Sequence, residues 1–416
     1  MGNATSDNSL TAQPGEALAL QSQGNSLRTL LILSMLMAFA SISTDLYLPA
    51  MPAMAAALHV SGGTLEFTVT GYLIGFSSGQ LFWGPLSDRF GRKTPVAIGL
   101  VLFIVGSAGC ALATDGMQII AWRIVQALGA CANVVLARAM VRDLYQGRMA
   151  AQKMSTLMTI MAVAPLAGPT LGGQILRLGS WQAIFWTLVL IAIATLASLI
   201  LLPETLPFSR RSPASLKEIA IRYGSFFQDR RFLGYTAAGA FFYAGTFAYI
   251  AASPFAYITF HGVSPQLYGA LFASGIIGMM ATAQVNARML NRYDTHTMLL
   301  IGSVISAIAG LMLAFNTGAN WGGLGLMIAS CLLFVTATGL VLANSVAGAL
   351  NRFPEASGSA SALVGALQYG SAMLGSAVVA ISADGTPWPL GWVLAACGVG
   401  CFVCAGWVYR VERRKP

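Results

Sequence analysis

The stretch Gly84-Pro-Leu-Ser-Asp-Arg-Phe-Gly-Arg-Lys93 joins two long apolar segments, one that ends near Trp83 and one that begins near Pro95. Four of its ten residues are charged, although charged residues make up only 9% of the chain. A tight, basic loop between two hydrophobic segments is typical of a membrane hairpin whose loop lies in the cytoplasm. The stretch therefore predicts a membrane protein.

An internal repeat includes this stretch. When the sequence is shifted by 203 positions, residues 84–99 align with residues 287–302 without a gap, so that Arg292 falls on Arg89 and Gly302 on Gly99. A repeat at this spacing predicts two copies of one structural unit. Two repeated halves in a membrane protein predict a transporter with its binding site between them.

The composition excludes a soluble globular protein. The 416 residues are 56% hydrophobic, and the mean hydropathy is +0.71. A soluble protein has about 25% charged residues, which is far more than this chain offers to water. The six cysteines all lie in apolar segments, and we interpret them as small core residues and not as disulfide partners.

No enzyme signature is present in the sequence. The three histidines are scattered without the spacing of metal ligands, and neither a nucleophile–base set nor a nucleotide-binding loop occurs. We therefore expect no metal and no cofactor. ATP is therefore not the expected energy source.

Twelve apolar segments are long enough to cross a bilayer. We expect them at residues 28–55, 64–83, 94–113, 117–139, 151–176, 181–202, 232–258, 267–290, 297–315, 323–349, 358–382 and 388–409. The predicted layout is a disordered cytoplasmic tail (1–26), an N-terminal six-helix half (27–202), a cytoplasmic linker (203–231) with a short amphipathic helix near 213–228, a C-terminal six-helix half (232–410) and a basic cytoplasmic tail (411–416).

The basic residues predict the orientation. If the N-terminus is cytoplasmic and the segments alternate, 21 of the 23 Lys and Arg residues lie at cytoplasmic ends or loops, and Arg123 and Arg177 are the exceptions. This is the positive-inside pattern, and it predicts a multi-pass protein with both termini in the cytoplasm. It also accounts for the net charge of +9 without a nucleic-acid partner.

Asp45 is predicted as the one acid well inside an apolar segment. It lies 17 positions after Arg28, about 25 Å along a helix, and therefore past the midplane. An ionisable group at that depth is a functional hypothesis by default. We expect it to couple proton and substrate, and a structural ion pair or a cap beside Pro49 is the alternative.

Arg123 is predicted as the only basic residue inside a helix. Its distance from the start of the fourth segment gives it a depth similar to that of Asp45. We expect the two side chains to interact, directly or through water or substrate. Extension of the Arg123 side chain to the outer surface is the alternative.

Four motifs resemble the major facilitator superfamily, and within it the twelve-helix drug:proton antiporters of the Bcr/CflA type. The loop Gly84-x-Leu-x-Asp-Arg-x-Gly-Arg-Lys93 is similar to the signature of loop 2–3, and Asp45-Leu-Tyr-Leu-Pro-Ala-Met-Pro52 to the first-helix pattern. Arg123-x-x-Gln-x-x-Gly129 resembles the fourth-helix arginine motif, and Gly168-Pro-x-x-Gly-Gly173 the fifth-helix antiporter motif. The resemblance implies an all-α integral membrane protein with the major facilitator fold, twelve transmembrane helices in two pseudo-symmetric halves.

The resemblance also implies roles for these residues. Gating is assigned to Gly84, Asp88, Arg89, Gly91, Arg92 and Asp143, with Arg92, Asp143 and the start of helix eleven near Ser357–Gly358 as partners of Asp88. The alternative interpretation of this loop is a basic turn that only determines the membrane topology. Control of proton leakage is assigned to Gly168, Pro169, Gly172 and Gly173, and close helix packing is an equally good interpretation of these glycines.

The predicted substrate cavity is lined by polar or aromatic residues within the spans, for which ordinary helix packing is the alternative. The candidates are Met37, Ser41, Tyr47, Asn133, Tyr243, Tyr249, Asn344, Gln368 and Tyr369. Met37, Ser41 and Asp45 share one helix face. Some relatives carry a second acid at the place of Met37, so a two-carboxylate mechanism is not expected here.

The resemblance implies proton-driven efflux of small organic molecules, such as bicyclomycin- or chloramphenicol-like antibiotics, from the bacterial inner membrane. The expected partners are a drug substrate, protons and lipid, and the expected state is a monomer. The alternative is a facilitator or proton-coupled importer of a small metabolite on the same fold. A receptor or scaffold without transport would leave Asp45 and Arg123 without a purpose.

Overall fold

The computed structural model describes residues 27–145, 147–208, 211, 224, 226–353 and 357–413. This part of the chain is helical and contains no strand. Its long helices, named here α1 to α12, are Leu27–Ala57, Gly62–Phe90, Lys93–Leu112, Gly116–Leu144, Gly147–Leu178, Trp181–Leu201, Arg230–Phe260, Pro265–Met289, Thr295–Ala319, Gly323–Leu350, Ser357–Ile381 and Trp388–Arg413.

Most of these helices are suited to a bilayer. Within the described residues, ten are long and apolar enough to cross a membrane, and the two that do not reach that standard are α2 and α5. Their outward surfaces carry many large apolar side chains, for example Leu190 on α6 and Leu311 on α9. A surface of this kind needs hydrocarbon as its solvent. The prediction of an all-α integral membrane fold is therefore confirmed.

The bounds of the helices repeat along the chain. α1 begins at Leu27 and ends at Ala57, and α7 begins and ends 203 positions later, at Arg230 and Phe260. The first residue of α2, Gly62, has its counterpart in Pro265, the first residue of α8. The offset is the one at which the sequence repeats. The repeat therefore extends from the loop motif to the first two helices of each half.

Prolines interrupt both members of the first repeated pair. α1 is helical to Asp45, forms a 3₁₀ turn at Leu48–Ala50 and resumes as an α-helix at Met51. α7 changes to a π-helix at Phe255, directly after Pro254. Proline cannot donate a main-chain hydrogen bond, so each interruption frees a carbonyl in the preceding turn.

The two halves approach each other most closely, backbone to backbone, at one end of the bundle. We call the end that carries residues 84–93 the motif end, and the opposite end the far end. At the far end a Cβ on Gly63 of α2 would lie 2.8 Å from the carbonyl oxygen of Ala380 on α11. On the other side of the bundle, Gln266 Nε2 of α8 donates to the Gly173 carbonyl of α5 at 3.1 Å.

Within the described residues, the hydrogen bonds between the halves lie towards the far end. Besides the α5–α8 contact, the hydroxyls of Thr70 on α2 and Ser376 on α11 lie 2.9 Å apart. Within the described ranges, no hydrogen bond or ion pair joins the halves at the motif end. The structure is therefore closed at the far end.

Several predicted bounds are wrong by more than a turn. α2 does not end at Trp83 but continues through Gly84 and Pro85 to Phe90. Pro85 lacks an N–H and so leaves one helical hydrogen bond unmade, but it does not end the helix. Most of the predicted 84–93 loop is consequently helical, and the chain turns at Gly91, where φ is +90°. α4 likewise continues past residue 139 to Leu144.

The predicted domain layout differs from the helix bounds at two places. α7 begins within the predicted linker, at Arg230, and α12 continues into the predicted tail, to Arg413. The tail 1–26 and nearly all of the predicted amphipathic helix near 213–228 lie outside the described residues.

Candidate functional site

Asp45 lies at the point where α1 breaks. It is the last residue of the first α-helical part, and Pro49 follows four positions later. Because proline has no N–H, the Asp45 carbonyl loses the helical hydrogen bond that an unbroken helix would give it. The side chain is only 4% exposed and lines the central cavity. The break thus brings a carboxyl group to the wall of a cavity between the two halves.

The glycines of the fifth helix pack against this break. A Cβ on Gly168 would lie 2.9 Å from the Asp45 Cβ, and one on Gly172 would overlap the carbonyl oxygen of Leu46. The adjacent Gly173 faces α8, since a Cβ there would lie 3.0 Å from the Pro265 carbonyl oxygen. This short stretch of α5 therefore holds both the Asp45 region and the closed far end, which is the packing interpretation of the motif.

The helical proline of the same motif completes the contact with the other half. A Cβ on Gly269 of α8 would lie 2.9 Å from the carbonyl oxygen of Pro169. Glycines on both helices thus allow the two backbones to approach closely.

Arg123 is fully buried, with no exposed surface. Its guanidinium lies between two aromatic rings, 4.3 Å from the centroid of Tyr47 and 4.4 Å from that of Tyr72. Nη1 donates to the Ser43 carbonyl at 2.9 Å and to Gln126 Oε1 at 2.5 Å. These contacts exclude extension of the side chain to the outer surface.

The partners of Arg123 are themselves held in place. Gln126 Nε2 donates to the Ser107 hydroxyl at 2.7 Å, and the hydroxyls of Tyr72 and Ser43 lie 2.6 Å apart. The Tyr47 hydroxyl lies 2.9 Å from that of Thr68. α1, α2, α3 and α4 therefore converge on one guanidinium through neutral groups.

Asp45 and Arg123 are neighbours but not an ion pair. No nitrogen of Arg123 lies within 4.0 Å of the Asp45 carboxylate. Within the described residues, Asp45 forms no ion pair. Arg123 Nε and Nη2 have no hydrogen-bond acceptor in the same part of the chain. Two donors of the guanidinium are therefore unused in this conformation, and the predicted direct contact is not formed in it.

The central cavity has a volume of about 330 Å³ and lies between the two halves. It is lined by α1, α2 and α5 from the first half and by α7, α8, α10 and α11 from the second. Its lining includes Asp45 and four of the predicted cavity residues, Ser41, Tyr243, Tyr249 and Tyr369.

The other predicted cavity residues lie elsewhere. Met37 is buried in the core, Tyr47 packs on Arg123, and Asn344 Nδ2 donates to Asn286 Oδ1 at 2.7 Å. Asn133 is buried next to α3, near Gly99, and Gln368 lies beside Gly239. In this conformation these five residues do not line the central cavity.

Much of the cavity lining was not predicted. It consists largely of aromatic and aliphatic side chains, among them Tyr72, Phe76, Phe247, Phe272, Ile276 and Met279. Tyr72 and Phe76 lie four positions apart on one face of α2, and the Phe76 ring centroid lies 4.7 Å from that of Tyr369. Helical periodicity groups such residues, but it does not say which face borders the cavity.

Arg92 is the centre of the loop 2–3 motif. Its Nη1 donates to Asp88 Oδ1 at 2.6 Å and to the Ser87 hydroxyl at 2.5 Å, and its Nε donates to Asp143 Oδ2 at 2.8 Å. Burial lowers the pKa of the guanidinium, but the hydrogen bonds and charges of Asp143 and Asp88 outweigh it and leave the pKa raised. Arg92 is therefore a charged residue that ties the ends of α2 and α4 together.

Glu204 completes the same cluster, although its role was not predicted. Its Oε1 accepts from the Arg92 N–H at 2.8 Å and its Oε2 from the Lys93 N–H at 3.1 Å. The carboxylate thus caps the N-terminus of α3, where negative charge is favourable. A Cβ on Gly91 would lie 2.7 Å from Glu204 Oε2, and the positive φ of this residue also favours glycine.

The remaining predicted gating residues have few contacts. Gly84 has no heavy atom within 4 Å of an added Cβ, and the exposed Arg89 lies over the ring of the adjacent Phe90 at 5.4 Å. Two predicted partners of Asp88 are present, since Asp88 and Asp143 share Arg92. The side chains at the start of α11, the third predicted partner, are outside the described residues.

Two charged residues inside helices were overlooked. Glu66 of α2 is only 4% exposed, so Asp45 is not the one acid inside a span. Arg138 lies within α4, inside the predicted segment 117–139, and its Nε has no hydrogen-bond partner among the described residues. Arg123 is therefore not the only basic residue within a helix.

A metal site is not suggested by the geometry. In the ranges that the structure covers, no group of three His, Cys, Asp or Glu side chains is arranged to hold an ion.

The chain matches the model of the Major Facilitator Superfamily over residues 33–376. It is 32% identical over 376 residues to the "Bicyclomycin resistance protein homolog" of Haemophilus influenzae, which covers 89% of this chain and 92% of the relative. It is 31% identical to the "Chloramphenicol resistance protein" of Pseudomonas aeruginosa, over 87% of this chain and 86% of the relative.

Solved structures share the fold. The chain superposes on the partially occluded inward-open form of the xylose transporter XylE from Escherichia coli with a TM-score of 0.72, at 15% identity, over 92% of this chain and 97% of the other. A POT family transporter gives a TM-score of 0.76 at 11% identity, over 95% and 99%.

Proposed function

Because the chain belongs to the Major Facilitator Superfamily, we propose that it exports small organic drugs from the cell in exchange for protons. It is a multi-pass membrane transporter, not an enzyme, and transporters of this kind carry small-molecule substrates. The relatives named for bicyclomycin, chloramphenicol and multidrug resistance support drug efflux, of the Bcr/CflA type.

The observation that carries the proposal is the Asp45 carboxyl in the wall of the central cavity. It lies at a helix break, with no ion-pair partner in the described residues. Burying a charge without a partner is costly, so a group in this position exchanges a proton readily when its surroundings change. A conformational change that alters the solvation of Asp45 thereby couples to proton binding.

Arg123 provides a positive charge that attracts Asp45 once Asp45 has lost its proton. Its guanidinium is fixed between Tyr47 and Tyr72, and two of its donor nitrogens have no acceptor in the described part of the chain. When Asp45 loses its proton, the new negative charge is attracted by this nearby positive charge. A conformation that brings the two groups together is thereby favoured over one that holds them apart.

The cavity suits small organic molecules of low polarity. Binding sites for such molecules are mostly apolar with a few polar groups that fix orientation. Aromatic rings of both halves line this cavity, and Asp45 is the charged residue among its lining groups. With Asp45 protonated the wall is neutral, which favours neutral drugs of the kind after which the two resistance relatives are named.

We further propose that the motif end faces the cytoplasm of a bacterium, with the far end outside the inner membrane and both termini inside. The distribution of Lys and Arg supports this orientation. Closure at the far end then corresponds to an inward-facing conformation. A monomer contains both halves and the cavity between them, so no second copy is required.

The test is proton flux in vesicles reconstituted with the wild type and with Asp45→Asn. A panel of neutral and cationic drugs is added, and internal pH is followed with a fluorescent dye. Drug-dependent proton movement that disappears in Asp45→Asn, while the protein remains folded, is the expected result. Drug movement without proton movement in both proteins would instead establish a facilitator, and normal uphill transport by Asp45→Asn would remove Asp45 from the mechanism.

A further inference from the structure

Glu66 is a buried carboxyl for which the central cavity provides no role. Asp45 and Glu66 are the two acids among the buried residues that the structure describes. Glu66 lies four residues after the start of α2, about 6 Å along the helix from its first residue. It is therefore near the far end, well separated along the bundle from the loop motif. It lines a different cavity, of about 450 Å³.

This second cavity lies at the junction of the two halves. α2 contributes Glu66 and the glycines before it, and the remaining walls come from the ends of α7, α11 and α12. A Cβ on Gly62 would lie 3.0 Å from the Phe255 ring of α7, and one on Gly63 would lie 2.9 Å from the Ala383 Cβ. The contact that closes the far end is thus the contact that encloses Glu66.

The Glu66 carboxyl has no compensating partner there. Its Oε2 is buried and makes no hydrogen bond within the described residues, and the side chain belongs to no ion pair in them. A carboxylate left in this condition is expensive, whereas the protonated acid is neutral. The buried site therefore favours the form of Glu66 that carries a proton.

The other titratable groups around the cavity do not offset a negative charge. Asp384, from the loop before α12, lines the same cavity, and its hydrogen bonds with Thr386 lower its pKa, so it adds a second negative charge. Asp115, at the start of the adjacent α4, is a further acid. His59 is exposed. His261 directly follows α7, and burial lowers its pKa, so its imidazole is neutral at neutral pH.

The wall opposite Glu66 is the irregular end of α7. Phe255, Ala256, Thr259 and Phe260 line the cavity, and they belong to the π-helical turns that follow Pro254. Segments of π-helix are rare and occur mostly at functional sites. Here the irregular segment borders the buried acid on the surface where the halves must separate.

We infer that Glu66 is a second proton-binding site, which takes up a proton when the far end closes and releases it when the far end opens. This inference rests on the alternating access proposed above. Separation of Gly63 from Ala380 would admit water to the carboxyl and restore the charged form. In the proposed orientation the proton arrives from outside, and its binding favours return to the inward-facing conformation.

The experiment measures opening of the far end directly, in the absence of drug. Spin labels are attached at Ala57→Cys and Ala319→Cys, which are exposed at the far ends of α1 and α9, after the half-exposed Cys404 has been replaced by Ser. The distance distribution between the labels is recorded from pH 5 to pH 9. Linkage to one proton changes the open-to-closed ratio by up to about tenfold per pH unit.

We expect the wild type to open as the pH rises and Glu66→Gln to remain closed at alkaline pH. Asp384→Asn is the matched control, because it removes an exposed acid of the same cavity. It should keep the pH response, with a midpoint shifted to slightly lower pH because a negative charge near Glu66 is gone. Glu66→Asp keeps a carboxyl and should retain the response with a shifted midpoint, which serves if the glutamine variant does not fold. Asp45→Asn should keep the part of the response that Glu66 provides.

The inference is overturned if Glu66→Gln opens with the same midpoint and amplitude as the wild type, or if the wild type does not respond to pH. Drug-driven proton flux in vesicles tests the proposed function separately. If drug-driven proton flux is present in the wild type but the label distances do not depend on Glu66, only the proposed role of Glu66 is rejected. If the label distances respond to pH through Glu66 but no drug-driven proton flux occurs, the second proton site is supported and the proposed antiport is rejected.

Discussion

Replacing Gly172 by alanine tests whether close packing of α5 positions the Asp45 region. An added methyl group at this position would overlap the Leu46 carbonyl oxygen. Carbon and carbonyl oxygen approach no closer than about 3.3 Å in ordinary contacts, so α5 and the break in α1 must separate. A shift of α5 is restricted, because the neighbouring Gly173 packs against Pro265 of the other half.

Gly172→Ala should lower the free energy of unfolding. Overpacking of a closely packed site costs about 1–3 kcal/mol. The higher helix propensity of alanine recovers up to about 1 kcal/mol of this loss. We therefore expect a net destabilisation of Gly172→Ala by about 1–2 kcal/mol. The shift also moves the residue that follows Asp45, so proton-coupled transport should fall more than the amount of folded protein does.

Gly406→Ala is the matched control. Gly406 also lies inside a helix, α12, but has no heavy atom within 4 Å of an added Cβ. Alanine there gains helix propensity without a clash, so the control should be as stable as the wild type or more so. The measurements are thermal unfolding of the purified protein in detergent and drug-driven proton flux in vesicles. Equal stability and equal flux in the two variants would refute the packing argument.

Two further predictions concern charged groups. Arg123→Lys keeps the positive charge but loses the planar group between Tyr47 and Tyr72, so drug-driven proton flux should fall about tenfold or more; wild-type flux would show that charge alone is sufficient. Burial raises the pKa of Asp229, but hydrogen bonds from the start of α7 and from Arg352 outweigh it and lower the pKa. The stability that the charge supplies is then present at neutral pH and lost as the pH falls below about 4. Asp229→Asn should therefore cost about 0.5–1 kcal/mol at pH 7 and progressively less as the pH falls below about 4 in thermal unfolding, and a cost that does not change with pH would contradict this assignment.

The positions of the helices could be predicted from the sequence because apolar length is a direct consequence of the bilayer. The offset of 203 between the halves was also readable, since it is retained in the loop motif, and Pro52 and Pro254 differ from it by only one position. The ends of α2 and α4 were not readable, because polar residues continue both helices beyond the hydrocarbon. There Ser87 donates to the Gly84 carbonyl at 2.8 Å, and the Arg92 cluster holds the last turns.

The cavity residues were predicted less well, for a different reason. Polar side chains inside a membrane helix satisfy either a neighbouring helix or the cavity, and the sequence does not distinguish these outcomes. Asn344 is paired with Asn286 in the second half, whereas Tyr243 and Tyr369 reach the cavity. The assignment of each residue depends on the rotation of its helix about its own axis, which is set by packing with several partners at once.

Glu66 was overlooked because its burial depends on contacts between the halves. By sequence it lies near the start of a helix, where an acid is ordinarily solvated. The close approach of Gly63 to Ala380 buries it, and that contact joins residues more than 300 positions apart. If the halves separate at the far end, the same residue becomes an ordinary surface acid. The burial of such a group changes with conformation, so an average hydropathy over its neighbours in the sequence could not reveal it. The same change in burial makes the group suited to link proton binding to closure of the far end.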